Sequence, residues 1–149
     1  MKLYQNLLWI SGLIFFIFSG CSKDPVEISN VPSISFVSVT PTLVKEYTDS
    51  LVFTIDYEDG DGDLGENTSG VENFFLVDSR NEVTYKFRIP QLAPGNSNIA
   101  IRGKLSVKLD NTAITDGSPS QSFSYKIYVK DRSGNLSNTI NSSVIKVTK

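Results

Sequence analysis

From residue 33 onward, apolar and polar side chains alternate with a period of two, the pattern of strands that bury one face. Leu51, Phe53, Ile55 and Tyr57 share one face of such a strand, with Val52, Thr54 and Asp56 on the other. Val83, Tyr85, Phe87 and Ile89 repeat the pattern, as do Phe123, Tyr125, Ile127 and Val129, with Tyr128 on the outer face. Ile99, Ile101, Leu105, Val107 and Leu109 form a longer run between Arg102, Lys104, Ser106 and Lys108, and Gly103 is expected to bend it. Residues 74–77 are apolar on both faces and predict a central strand. Near Ile34 and Phe36 the apolar parity slips to Val37 and Val39, which predicts a β-bulge. A last strand covers roughly residues 139–147. Pro90, Pro94-Gly95-Asn96 and the loop 111–120 interrupt these runs. No stretch shows helical periodicity. The pattern predicts an all-β fold, a seven-stranded antiparallel β-sandwich over residues 33–149.

Ahead of the sandwich stand two segments of different character. Residues 1–20 hold a single charge, Lys2, then an apolar run from Leu7 to Phe18 that ends in Ser19-Gly20. A basic start, a short apolar centre and a small-residue end describe a cleaved export signal. The run is shorter than the ~20 apolar residues a membrane-spanning helix needs. Residues 21–32 are a polar linker with Pro25 and Pro32.

Composition excludes more than it suggests. The chain has 149 residues, 14 Lys and Arg against 16 Asp and Glu, and no histidine. A mildly acidic domain lacks the basic face that nucleic acid requires. Without histidine, His-based triads and the commonest metal ligand are gone. One cysteine, Cys21, allows no internal disulfide and no thiolate zinc site.

The position of Cys21 directly after Ser19-Gly20 resembles the lipobox of bacterial lipoproteins. That resemblance implies cleavage before Cys21, a diacylglycerol on its thiol and an acylated amino terminus, hence a membrane anchor of several chains. Lys23-Asp24 is similar to the export tag of surface-displayed lipoproteins of the Bacteroidota, which implies an outer-membrane location facing the cell surface. Tyr125-x-Ile127-x-Val129-x-Asp131-x-x-Gly134-Asn135 resembles the sixth strand and following turn of fibronectin type III and bacterial Ig-like domains. By that resemblance Tyr125 is a tyrosine-corner residue whose hydroxyl bonds back to the preceding loop.

The run Asp59-Gly60-Asp61-Gly62-Asp63-Leu64-Gly65-Glu66 also resembles a recurring feature of Ig-like lipoproteins of that group. Its glycines permit the sharp turns that bring alternate carboxylates together. Calcium takes six to eight oxygens at about 2.3–2.6 Å, and an acidic loop supplies them. The run is not an EF-hand, because Leu64 and Gly70 stand where that loop needs Gly and Glu. In a sandwich the loop and the 131–135 turn emerge at one end, so Asp59, Asp61, Asp63, Asp131 and Asn135 are the candidate calcium ligands. A solvated acidic turn is the competing reading.

Three functions fit these observations. The first is a non-catalytic, lipid-anchored Ig-like module that contacts another envelope protein. The second is a glycan-binding accessory of a polysaccharide-uptake system, with Tyr57, Tyr85 and Tyr128 as the available aromatics. Of these, Tyr57 and Tyr85 are expected in the core. The third is a hydrolase using paired carboxylates such as Asp61 and Glu66. Asp49-Ser50-Leu51 matches a short O-glycosylation motif of exported Bacteroidota proteins.

Overall fold

A computed structural model describes residues 28–95 and 97–149, so Cys21, the export segment and most of the linker lie outside the described residues. Among the described residues there are strands and loops and no helix, and none forms a helix long and apolar enough to cross a membrane. The strands are β1 (Ser33–Thr40), β2 (Leu43–Lys45), β3 (Leu51–Asp59), β4 (Phe74–Asp78), β5 (Thr84–Phe87), β6 (Ile101–Leu109), β7 (Ser120–Phe123), β8 (Tyr125–Val129), β9 (Ile140–Asn141) and β10 (Ile145–Thr148).

They form three sheets, ordered β1-β3-β6, β2-β10-β7 and β5-β4-β8-β9. All pairings are antiparallel except β2 with β10, where Leu43 lies beside Lys146 in parallel register. Ten segments replace the expected seven because Ser124 separates β7 from β8, residues 142–144 separate β9 from β10, and β2 is a short strand the alternation did not reveal. Between Thr40 and Leu43 the chain leaves the first sheet and joins the second.

The expected bulge is present: the β1–β3 register shifts between Phe36 and Ser38. As the doubly apolar pattern implied, β4 lies between β5 and β8. Its Phe74 and Leu76 are buried, while Phe75 turns outward and stacks on Tyr128 with ring centroids 4.8 Å apart. The pairing register of β6 runs unbroken through Gly103, which lies opposite Tyr57, and a Cβ there would come within 3.0–3.2 Å of the Tyr57 ring and hydroxyl. Ile99 also differs from expectation: it precedes β6, has no strand partner, and is 52% exposed. Tyr57 and Tyr85 are half-buried at the margin of the core rather than within it.

The core centres on Tyr125, which meets Phe53, Phe123 and Tyr85 edge-to-face at centroid distances of 5.1, 5.4 and 6.2 Å. These rings come from β3, β7 and β5, so one side chain ties all three sheets. Two asparagine side chains, that of exposed Asn138 and that of buried Asn73, knit the backbone as strands do. Asn138 accepts from Ile34 N–H at 2.8 Å and donates to its carbonyl at 2.9 Å. Asn73 does the same to Ile89, at 2.6 and 3.3 Å.

Candidate functional site

The inward parity of β3, at Leu51, Phe53 and Ile55, continues to its last residue, Asp59, which is therefore a fully buried carboxylate. One oxygen, Oδ2, accepts the Leu64 N–H at 2.8 Å and folds the loop back on itself. Leu64 is itself buried in the core, so the single apolar residue of the acidic run anchors it. The return is tight. Gly62 and Gly65 have φ of +72° and +90°, and a Cβ at either would strike the carbonyl of Ile99 or Pro90. Gly60 is needed for room: its N–H donates to Ser29 O at 2.8 Å, and a Cβ would collide with the Ile28 carbonyl.

This folding brings three carboxylates together. One oxygen from each of Asp59, Asp61 and Asp63 lies within 4.8 Å of the other two. The Oδ1 atoms of all three are buried and have no hydrogen-bond partner. Burial pushes the Asp59 carboxyl up to about 6, helped by the neighbouring Asp61 and Asp63 and opposed by the Leu64 N–H. Carboxylate charge is thus concentrated here, and no protein donor faces the three Oδ1 atoms.

The β8–β9 turn closes over the loop, as the shared end of the sandwich implied. Ser133 donates its N–H and its hydroxyl to Asp63 Oδ2 at 3.0 and 2.6 Å. Arg132 donates from its backbone to Asp63 O at 3.3 Å, and from its guanidinium to the Gly65 and Gly62 carbonyls at 2.7 and 3.3 Å. Beside the cluster lies an open polar hollow of about 430 Å³, lined by Asn30, Asp61, Asp63, Ser97, Asn98 and Ser133 among others.

Not every candidate joins the cluster. Asp131 gives both carboxylate oxygens to Asn135, to its N–H at 2.7 Å and its side-chain amide at 2.8 Å. The cluster of mutually close carboxylates comprises Asp59, Asp61 and Asp63 without it. The turn satisfies its own carboxylate locally, and the neighbours Arg132 and Ser133 make the contact instead. Nothing in the sequence distinguished those two, since serine is common in turns and an arginine beside it reads as solvated.

Glu66 also stands apart. It accepts the Thr68 N–H and hydroxyl at 3.0 and 2.8 Å, and those bonds hold its carboxyl below the usual range. Tyr125 is fully buried; its hydroxyl meets no partner at strict hydrogen-bonding geometry, while the Thr112 side chain of the preceding β6–β7 loop lies close enough to act on it. Burial pushes its pKa up to about 12, with Thr112 of the β6–β7 loop opposing the rise.

Three acidic oxygens this close together could hold a metal ion, and oxygen ligands suit a hard cation. Neither a protein-family model, nor a curated protein, nor a solved structure matches the chain.

Proposed function

We propose that this chain is a lipid-anchored, non-catalytic Ig-like module of a bacterial outer membrane, displayed at the surface, that works through contacts with other envelope components. The observation that carries the reading is where the chain enters the sandwich. Ser29 bonds Gly60 and Ser33 pairs with Glu58, so the polypeptide arrives at the pole of the acidic loop. Fewer than ten residues separate Cys21 from Ser29, at most roughly 25–30 Å of extended chain. An acylated Cys21 thus keeps that pole near the lipid and turns the far pole, with Pro119 and Lys149, towards solvent.

The Ig-like reading draws on the sheet order. It takes β1-β3-β6 as one layer and the sheets β5-β4-β8-β9 and β2-β10-β7 together as the other, since β7 runs on into β8 along the chain. The break between β1 and β2, which lets one edge segment pair in each layer, suits such a topology. A non-catalytic role fits the Asp61 and Glu66 pair. A glycosidase needs one protonated acid beside an ionised partner, and Thr68 holds Glu66 ionised.

One observation favours the glycan alternative: the stacked Phe75–Tyr128 pair on the outer face of the β4–β8 ladder. Aromatic faces of this kind serve sugar platforms, though here each ring already covers one face of the other. Replacing Cys21 by Ala tests the anchor. The variant is expected to leave the membrane fraction; retention there would overturn the reading. A glycan array with Tyr128→Ala as the control separates the two functions.

A further inference from the structure

The sandwich buries two carboxylates completely, one at each pole, and treats them differently. At the far pole Asp78 is met by Arg80, whose guanidinium approaches to 2.6 Å. Arg80 is seated in turn by Ala113 O, Gln121 and the face of Phe123. At the near pole Asp59 has a buried Oδ1 with no partner, aimed among two more unpartnered oxygens. None of the ion pairs among the described residues includes Asp59, Asp61 or Asp63. Arg132, on the turn over the cluster, directs its guanidinium to carbonyl oxygens instead. A buried charge without a partner is costly and calls for a counter-charge.

We propose that Asp59, Asp61 and Asp63 bind one calcium ion, which fastens residues 28–30 of the anchor-proximal segment to the acidic loop. The proposal rests on this geometry alone and stands whether or not Cys21 is acylated. Oxygens no more than 4.8 Å apart fit around one ion, because opposite ligands of calcium are separated by about twice a 2.3–2.6 Å bond. The adjoining hollow has room for the waters that complete a calcium shell, and Asn30 on its wall belongs to the entering chain. Magnesium demands a tighter octahedron at ~2.0–2.1 Å and yields its waters reluctantly. The fastening follows from connectivity: Gly60, next to Asp59 and Asp61, holds Ser29 through its N–H. An ion that fixes the two carboxylates fixes the amide between them.

The test is titration of calcium chloride into the full chain, purified in detergent and stripped with a chelator. One site is expected, with Kd of about 10⁻⁴–10⁻³ M as in extracellular modules. At 2 mM calcium the melting temperature should rise by roughly 2–8 °C, and magnesium at the same concentration should give less than half of that. Hydrogen exchange at the Gly60 and Leu64 amides should slow by roughly 3–20-fold. Asp61→Asn should abolish all three effects, while Asp131→Asn should keep them. No binding below 5 mM, equal effects of calcium and magnesium, or full binding by Asp61→Asn would each overturn the proposal. So would loss of binding in Asp131→Asn. If Asp61→Asn fails to fold, the calcium–magnesium comparison and the exchange rates of the unmutated chain still decide.

Discussion

Ser133 donates its hydroxyl to Asp63 across 2.6 Å, joining the β8–β9 turn to the acidic loop. The bond is charge-assisted, and the Ser133 N–H reaches the same oxygen. Ser133→Ala keeps the backbone bond and loses the stronger one. Denaturant unfolding should show a loss of about 0.5–1.5 kcal/mol, below the ~1.5–3 kcal/mol of buried charged hydrogen bonds because this bond is exposed. No measurable loss would mean that the loop holds its shape without the turn.

The opposite pole should be far less tolerant. Side-chain exposures of 8% for Arg80 and 1% for Asp78 place their ion pair inside the protein. Arg80→Met leaves Asp78 charged and buried, with only the residue-80 N–H as a partner, and should cost about 3–5 kcal/mol. The double variant Asp78→Asn/Arg80→Met should be less damaging than Arg80→Met alone, since no charge then remains to solvate. Equal losses in both would place the cost in the lost packing of Arg80 on Phe123 rather than in charge.

Tyr125 yields a prediction opposite to that of a tyrosine corner. A buried hydroxyl without a partner is desolvated at a cost, so Tyr125→Phe should raise stability at neutral pH by about 1–3 kcal/mol. In alkali the two proteins should part further. The folded pKa of about 12 lies above the ~10 of free tyrosine, so between those values the unfolded chain releases a proton that the folded chain keeps. Stability present below pH ~10 therefore falls as pH rises towards 12. Tyr125→Phe should flatten that decline, with half-buried Tyr57, whose pKa burial also raises, accounting for part of what remains. Parallel pH curves for the two proteins would contradict the assignment.

Much of this architecture was legible because strand alternation is a direct imprint of burial. The parity of Leu51, Phe53 and Ile55 marked the core face, and the slip at Val37 marked the bulge. The same parity pointed Asp59 inward, a signal that reading the acidic run as a loop obscured. Other features depend on choices the sequence leaves open. Asp131 could face the cluster or its own turn, and a five-residue turn that satisfies its carboxylate locally prevails. Asp78-Ser79-Arg80-Asn81 reads as an exposed turn, yet Asp78 and Arg80 are drawn inside because each neutralises the other. Ile99 reads as core from its spacing, but a residue beyond the end of the ladder has no neighbouring strand to cover it.

The central claim of the proposal is orientational: the entering chain and the acidic loop share the pole that an acylated Cys21 would hold to the membrane, and Lys149 lies at the other. Thr148 pairs with Ser120 and Ser33 with Glu58, at opposite ends of strands as long as β3. Nine residues of strand at ~3.3 Å each separate the poles by roughly 30 Å. Spin labels at Ser69, beside the acidic loop, and at Lys149 would report both depths in one reconstituted sample. Depth measurement in lipid vesicles should place Ser69 nearer the bilayer by about 20–30 Å. Equal depths, or Lys149 the nearer, would contradict the account.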